Sequence, residues 1–559
     1  MNPSGIASSA WAWQDTLTLG LFFAGMVGIV IWVLRQKEET STDYFLAGRD
    51  AGWLAIGASI FASNIGSEHL VGLAGAGATT GMAMAHWEMH AWLILVLGWV
   101  FVPFYSRSMV YTMPEFLEKR FSATARSFLS IISLVSYVLT KVAVTVYAGG
   151  VVFKQVLGID TWMGIDFFWI GAIGLVILTG IYTVLGGMKS VLYTSVLQTP
   201  VLLVGSIMIL VVGLTEIGGW GELAAIAQTN VTPQGDDMLK LVRSADDPEF
   251  PWTGVLFASP IVGFWYWCTD QYIVQRVLTG RNQAEARRGT IFGAYLKLLP
   301  VFIFLIPGII AYGLNQKGMI QLDNPDAAFP TLVSTLLPAG MKGIVVGGLV
   351  AALMSSLASL FNSSATLFTV DFYKKYRPAA SEKQLVYVGR VATAVVVVLG
   401  VLWIPVMRDL GQVLYTYLQD VQSLLAPGIA AVFIMGVFWK GATAAGGLAG
   451  LVAGFTLGML RLALRVFQNS LDPGGMIYRV VVAPNWLHYC IFLFLFSMAV
   501  IWVVSRFTPD PTRSMIQGLT YGSATPEQIA ETRASWNWQD VAHTVVVLSV
   551  ILAFYAYFW

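Results

Sequence analysis

The sequence contains little charge. Asp, Glu, Lys and Arg make up 11% of its 559 residues, whereas hydrophobic residues make up 57%. A soluble protein of this length carries roughly twice that charged fraction, and a mean hydropathy of +0.70 excludes an ordinary water-soluble enzyme or scaffold. The formal net charge is only +1, and the basic residues are spread over separate loops, so we expect no nucleic-acid partner.

Cysteine is also scarce. Only Cys268 and Cys490 occur, and both lie in apolar segments. This argues against a disulfide framework and against a cysteine-based metal site. The strand alternation that is typical of membrane barrels is absent as well. The fold must therefore be stabilised by helix packing within a bilayer.

Long apolar runs are abundant, and each run of more than 18 mostly apolar residues predicts a membrane-spanning helix. The first run, from Leu17 to Leu34, lacks a small-residue cleavage site and is expected to be a span and not a cleaved leader. We predict an all-α, polytopic membrane protein with about 14 transmembrane helices, near residues 15–35, 52–80, 83–107, 128–158, 164–185, 190–216, 252–276, 288–315, 340–373, 385–406, 410–438, 442–466, 484–506 and 538–558.

Lys and Arg are concentrated in the segments that follow the odd-numbered spans. By the positive-inside tendency these segments are cytoplasmic, which places both termini on the extracytoplasmic side. The mostly short loops favour a bacterial inner membrane, and the sequence leaves the oligomeric state open.

Two predicted spans contain polar residues at depth: "ASNIGSEH" (62–69) in the second and "WYWCTDQ" (265–271), with Asp270, in the seventh. Polar interruptions in corresponding members of two halves point to an inverted-repeat transporter with a site near the midplane. Unwinding at Ser63 and Gly66 would free carbonyl oxygens, which suit a small hard cation, and such unwinding survives only where protein or water covers it.

A serine-rich segment in the ninth span, 351–366, makes a cation site more specific. Ser355 and Ser356 are adjacent, so at most one of them points squarely at any given partner. A sodium site built from carbonyls and one or two hydroxyls needs no carboxylate. Close helix packing is the competing explanation, because small polar residues are common at helix contacts.

Ionisable and amide side chains also lie well inside other predicted spans: Glu88, Lys297 and Gln419. Such residues are costly in lipid and should face a wet cavity or a partner. Together with nearby aromatic side chains they favour a neutral, hydroxyl-rich solute over an ion alone, although each has a packing explanation of comparable weight. Those aromatic residues are Trp87, Tyr266, Trp267 and Tyr415.

Several long stretches resemble the sodium:solute symporter family, and within it the sodium/glucose cotransporters and the bacterial sodium/galactose transporter. They include "STDYFLAGRDAGWLAIGASIFASNIGSEHLVGLAGAGA", "YTMPEFLEKRF", "WYWCTDQYIVQR", "GAYLKLLP" and "MSSLASLFNSSATLFTVDFY", and the similarity runs from about residue 42 to 440. The resemblance implies fourteen spans with a leucine-transporter-type repeat of five plus five helices.

This architecture divides the chain into five parts. The implied divisions are a first helix and inner loop outside the repeat (1–51), the first five-helix repeat (52–216), an external loop (217–251), the second five-helix repeat (252–440) and three C-terminal helices (441–559) with an inner loop near 508–537.

The resemblance also implies roles for individual residues. The positions that bind the sugar in the family fall on Asn64, His69, Glu88, Lys297 and Gln419. The inner gate falls on Tyr266, with Trp267 beside it, and both of these aromatic residues also belong to the implied solute-binding positions. The outer gate falls on Leu73, Trp87 and Tyr415. The sodium ligands fall on the carbonyls of Ala62, Ile65 and Ala352 and the hydroxyls of Ser355 and Ser356.

The sequence departs from the family pattern at three positions. Ser195 stands where the family usually has an Asp associated with a second cation, so we expect one sodium per solute. Gly263 lacks a polar side chain that touches the sugar in the bacterial relative, and Gln422 replaces a usual Thr. These two changes weaken the assignment to one particular hexose.

We therefore expect a sodium-coupled secondary active symporter that imports a hexose such as glucose or galactose by alternating access, with sodium as coupling ion and no cofactor. A symporter for myo-inositol, another polyol or another small solute remains open, as does a substrate-gated channel or sensor on the same fold. A membrane enzyme is disfavoured, because no nucleophile or metal triad accompanies His69, Glu88 and His90. We expect His86 and His90 to face a helix interface.

Overall fold

The computed structural model describes residues 11–36, 40–66, 68–230, 235–338, 340–408 and 414–559. Across these ranges nearly every element is helical. The strand pair in the described chain, Thr161–Trp162 with Ile165–Asp166, is a short antiparallel hairpin. The prediction of an all-α polytopic membrane protein is confirmed.

Ten helical stretches of the described chain are long and apolar enough to cross a bilayer. They are Trp13–Leu34, Glu68–Ser108, Phe167–Ile217, Gln283–Gln316, Met341–Tyr376, Glu382–Leu402, Leu418–Phe438, Ala444–Val466, Trp486–Arg506 and Trp538–Phe558. Shorter helices complete the fold: Ser41–Leu46, Trp53–Asn64, Met113–Arg120, Ala123–Ser136, Ala143–Leu157, Trp220–Thr229, Trp252–Phe264, Gln271–Leu278, Ala328–Leu336, Arg513–Ile516 and Pro526–Ala534.

The count of continuous helices is lower than fourteen because predicted spans are interrupted or joined. Phe167–Ile217 joins the predicted fifth and sixth spans, and the chain turns inside it at Gly187, where φ is 47° and ψ is −143°. A Cβ at Gly187 would lie 2.5 Å from the Tyr44 carbonyl oxygen, so glycine is required there. The figure of fourteen spans stays a prediction, as does the orientation of the termini.

Burial separates central from peripheral helices. The apolar windows of Met341–Tyr376 and Gln283–Gln316 are 94% and 83% buried inside the protein. The window of Trp13–Leu34 is only 17% buried, and that of Trp538–Phe558 is 22% buried. Since exposed apolar helix faces must contact lipid, the first and last helices are peripheral and the serine-rich helix Met341–Tyr376 is central.

The predicted interruption at 62–69 is present. Helix Trp53–Asn64 ends where Ile65 adopts extended angles (φ −79°, ψ 103°), and helical structure resumes at Glu68–Leu73. A Cβ on Gly66 would lie 2.6 Å from Ser356 Oγ, so a larger residue here would displace the Ser356 hydroxyl from the break. We call 53–80 the first broken helix.

The second predicted interruption is also present. The helix from Trp252 ends after Thr269, and Asp270, in an extended conformation (φ −76°, ψ 127°), caps Gln271–Leu278 by accepting from Tyr272 N. An aspartate at the first position before a helix satisfies an otherwise unpaired N–H group. We call 252–278 the second broken helix.

Candidate functional site

A buried cavity lies between the two broken helices. It holds about 450 Å³ of atom-free space, counting the part that opens to solvent. Its described lining residues are Asn64, Glu68, His69, Trp87, Glu88, His90, Val262, Gly263, Tyr266, Trp267, Lys297, Leu418, Gln419 and Gln422. All seven residues for which the sequence predicts solute contacts therefore line one cavity, although they come from five separate parts of the chain.

An ion pair forms the charged part of this cavity. Lys297 Nζ lies 2.5 Å from Glu88 Oε2, and neither side chain is more than 4% exposed. His69 Nε2 lies 3.4 Å from the same carboxylate oxygen and 3.4 Å from Asn64 Nδ2. Because the two charges compensate each other, the pair can remain buried and still donate to or accept from a neutral solute.

Two further polar atoms in the cavity wall have no hydrogen-bond partner among the described residues: Gln419 Oε1 and Trp87 Nε1. Gln419 is 9% exposed and Trp87 is 4% exposed. A buried polar atom left unpaired costs about 1–3 kcal/mol, so each would gain from a ligand that supplies the missing donor or acceptor.

Aromatic side chains surround the charged groups. Lys297 Nζ lies 5.4 Å from the centre of the Trp267 ring, and the Tyr266 and Trp267 rings meet edge to face at 4.9 Å. On another wall, Trp87 stacks on Trp486 at 5.8 Å. The cavity thus combines flat apolar surfaces with a few polar groups, which is the usual composition of a small-molecule site.

The predicted outer-gate residues have three different outcomes. Trp87 lines the cavity, whereas Leu73 is fully buried and does not belong to the described lining. Tyr415 lies on the helix Leu414–Phe438, but its side chain falls outside the described part of the chain. The gate roles themselves stay predictions.

Two of the predicted sodium ligands, Ile65 and Ser356, meet beside the first break. Ser356 Oγ lies 3.2 Å from the Ile65 carbonyl oxygen and 3.0 Å from the Ser63 carbonyl oxygen. Neutral carbonyl and hydroxyl oxygens converging at a helix break are the donor set that a sodium ion prefers. The described residues contain no group of three His, Cys, Asp or Glu side chains that could hold a metal.

The other predicted ligands are buried, but they do not all point to the same place. Ala62 and Ala352 are each 1% exposed. Ser355 Oγ lies 3.4 Å from Ser195 Oγ, so Ser355 faces a different helix from its neighbour Ser356. The carbonyl of Ser63, which the sequence analysis did not name, lies next to Ser356 instead.

Polar side chains of the second broken helix make contacts that the sequence did not predict. Tyr272 donates its hydroxyl to the Ser63 carbonyl. Asp270 accepts from Lys141 Nζ at 2.7 Å and from the Tyr137 hydroxyl. The Tyr272 hydrogen bond therefore links the second broken helix to the first, and the Asp270 contacts link it to the predicted fourth span. The Asp270 contact could have been predicted from Lys141, because a lysine inside a predicted span needs a carboxylate partner.

Known proteins of similar sequence match most of this chain. The family model of the sodium:solute symporter family matches residues 44–454. The sodium/myo-inositol cotransporter 2 of Homo sapiens is 38% identical over 536 residues, covering 91% of this chain and 78% of that protein. The sodium/myo-inositol cotransporter of Canis lupus familiaris is 36% identical over 552 residues, covering 91% and 75%.

Solved structures share the fold. A sodium-coupled sialic acid symporter in a substrate-bound, outward-open state gives a TM-score of 0.71 at 21% identity, covering 90% of this chain and 99% of that one. A nucleobase-cation-symport-1 family transporter gives 0.50 at 12% identity, covering 86% and 98%.

At these identities the structural likeness concerns the fold alone. The family assignment rests on the match over residues 44–454 and on relatives aligned along most of their length. The chain thus belongs to the sodium:solute symporter family, a family of multi-pass membrane transporters whose coupling ion is sodium.

Proposed function

We propose that this protein imports myo-inositol, or a closely similar cyclic polyol, together with sodium. The hexose expected from the sequence has less support than this alternative, because the relatives at 36–38% identity are named for myo-inositol. A hexose remains the second candidate, since the same polar groups line the cavity.

The observation that carries the proposal is the hydrogen-bonding character of the cavity. Glu88 accepts, Lys297 donates, the Gln419 carbonyl oxygen lacks a donor and the Trp87 indole N–H lacks an acceptor. A ring that carries a hydroxyl on each carbon offers both donors and acceptors in every direction, so it can satisfy all of these groups. A monatomic ion or an apolar solute cannot do so.

Charge argues against an acidic solute. The described cavity lining has one lysine, already paired with Glu88, and no arginine. Arg276 lies on the second broken helix, but it donates to the Tyr272 carbonyl and does not line the cavity. A carboxylate solute would place a second negative charge beside Glu88, which is unfavourable at low dielectric.

Coupling follows from the position of the sodium site. The carbonyls of Ser63 and Ile65 meet the Ser356 hydroxyl only when the first broken helix lies against the central helix. An ion bound there favours that arrangement, which also fixes Asn64 and His69 in the cavity wall. A ligand shifts a conformational equilibrium only through its different affinities for the two states, and here sodium supplies that difference.

The sodium gradient provides enough free energy. One charge crossing 100 mV contributes ~2.3 kcal/mol, and a tenfold sodium gradient contributes roughly 1.4 kcal/mol. The sum of about 3.7 kcal/mol sustains a solute gradient of a few hundredfold. We propose one sodium per solute, because Ser195 provides no carboxylate for a second cation.

Uptake into proteoliposomes tests the proposal. Purified protein, reconstituted with an inward sodium gradient, is offered labelled myo-inositol in competition with glucose, galactose and unlabelled polyols. We expect concentrative, sodium-dependent uptake that myo-inositol inhibits at the lowest concentration. Stronger inhibition by glucose or galactose would replace the polyol with a hexose, and cation flux without concentrative uptake would identify a channel or sensor.

A further inference from the structure

His90 lines the cavity and has no role in the function proposed above. It follows Glu88 by two residues and is 4% exposed. Its Nε2 lies 3.3 Å from Ser259 Oγ. The other ring nitrogen, Nδ1, has no hydrogen-bond partner in the described part of the chain. One nitrogen of a buried imidazole is therefore available to a ligand.

The ring of His90 occupies the volume in front of Gly263. A Cβ at position 263 would lie 2.5 Å from Leu93 Cδ1, 2.6 Å from His90 Nδ1 and 2.8 Å from His90 Cε1, closer than side-chain atoms approach one another. The present position of the ring and a side chain at 263 therefore exclude each other. Gly263 places no polar side chain on this part of the second broken helix. The imidazole of His90, which belongs to Glu68–Ser108, lies at the same place instead.

We propose that His90 is a specificity-determining residue that hydrogen-bonds one hydroxyl of the solute at the wall formed by Gly263. This inference rests on the proposed function. A neutral imidazole donates from one nitrogen and accepts at the other. The Ser259 hydroxyl can pair with Nε2 in either tautomer, so Nδ1 can adapt to a hydroxyl as donor or as acceptor. A solute that lacks the hydroxyl at this wall leaves Nδ1 unpaired and binds more weakly.

A second histidine of the same segment provides a matched control. His86 Nδ1 lies 2.7 Å from the Tyr555 hydroxyl, and its Nε2 lies 3.0 Å from the Leu241 carbonyl oxygen. Both nitrogens are therefore satisfied by the protein. His86 does not belong to the described cavity lining, so its replacement removes a buried imidazole without touching the solute.

The test compares wild type, His90→Ala and His86→Ala in proteoliposomes. Sodium-dependent uptake of labelled myo-inositol is inhibited by unlabelled myo-inositol and by a set of singly deoxygenated inositols. We expect His90→Ala to weaken inhibition by myo-inositol roughly tenfold, the effect of one hydrogen bond. For one deoxy analogue the concentration that inhibits uptake by half should stay within twofold of its wild-type value, because that analogue lacks the hydroxyl that His90 binds. The sodium concentration for half-maximal uptake should not change, and His86→Ala should retain the wild-type ranking.

A second pair of variants tests the mutual exclusion directly. Gly263→Ala should lower uptake, because its Cβ collides with the His90 ring and with Leu93 Cδ1. Adding His90→Ala should raise uptake toward the level of His90→Ala alone, since the flexible end of Leu93 can move aside whereas the imidazole ring cannot. The inference is overturned if His90→Ala keeps the wild-type ranking of the analogues, or if it weakens all of them equally. Absence of sodium-dependent polyol uptake by the wild type would overturn the proposed function and this inference with it.

Discussion

Replacing Lys297 by Met is expected to lower the free energy of unfolding more than replacing a lysine on the surface. Lys297 Nζ lies 2.5 Å from Glu88 Oε2, with both side chains at most 4% exposed. The replacement removes the ammonium partner of the buried Glu88 carboxylate and leaves contacts such as that with His69 Nε2 at 3.4 Å. Breaking a buried pair from one side costs about 3–5 kcal/mol, so a loss of this size is expected in the free energy of unfolding.

The assay is SDS titration of purified protein in mixed micelles, with a second lysine as control. Lys154 Nζ lies 3.1 Å from Asp166 Oδ1, and its side chain is 37% exposed. An exposed pair contributes about 0–1 kcal/mol, so Lys154→Met should lie close to wild type. The double variant Glu88→Gln with Lys297→Met removes both charges and should recover most of the stability lost in Lys297→Met alone.

Solute uptake separates stability from recognition. Both Lys297→Met and the stable double variant should lose polyol uptake, because the cavity has lost its charged donor and acceptor. The reasoning is refuted if Lys297→Met is no less stable than Lys154→Met, or if the double variant transports normally.

Further predictions concern the ion site, the breaks and the loop 217–251. Ser356→Ala should raise the sodium concentration for half-maximal uptake about tenfold, since one oxygen ligand is lost, while Ser364→Ala on the same helix should not; equal values would contradict the sodium site. Tyr272→Phe should also weaken sodium activation, because the tie between the two breaks is lost; unchanged activation would exclude that tie. Because Ser195 provides no carboxylate, charge and solute uptake should occur in a ratio of one, and a ratio of two would refute this. Burial raises the pKa of Glu249, so the folded protein holds this proton more tightly and loses stability as pH rises through the unfolded and then the folded pKa; Glu249→Gln should be more stable than wild type at pH 7 and equal to it in acid, and equal stability at pH 7 would contradict the sign.

The sequence predicted the breaks because their chemistry is local. Asn64, Gly66 and Asp270 are polar or small residues in otherwise apolar spans, and a bilayer tolerates such interruptions only where protein covers them. The seven solute-binding positions came from the resemblance to the family, and the structure gathers all of them around one cavity.

Contacts between distant segments were beyond the sequence. Nothing local indicates that the Tyr272 hydroxyl reaches the Ser63 carbonyl. The position of His90 in the cavity wall could not be predicted either. A histidine at a helix interface and a histidine in a cavity wall can have the same neighbours in sequence. The direction of each side chain depends on how helices far apart in the chain pack together. The solute is equally hard to predict, since hexoses and cyclic polyols require the same kinds of groups.

The most direct test of the account is sodium-dependent binding of labelled myo-inositol to purified protein in detergent, without any gradient. If the ion held by the first broken helix and Ser356 organises the cavity, the dissociation constant should be about 5–150-fold lower in sodium than in potassium, the usual range of coupling between two sites. The Ser356→Ala variant should lose most of that difference. Equal affinity of the wild type in the two salts would contradict the account.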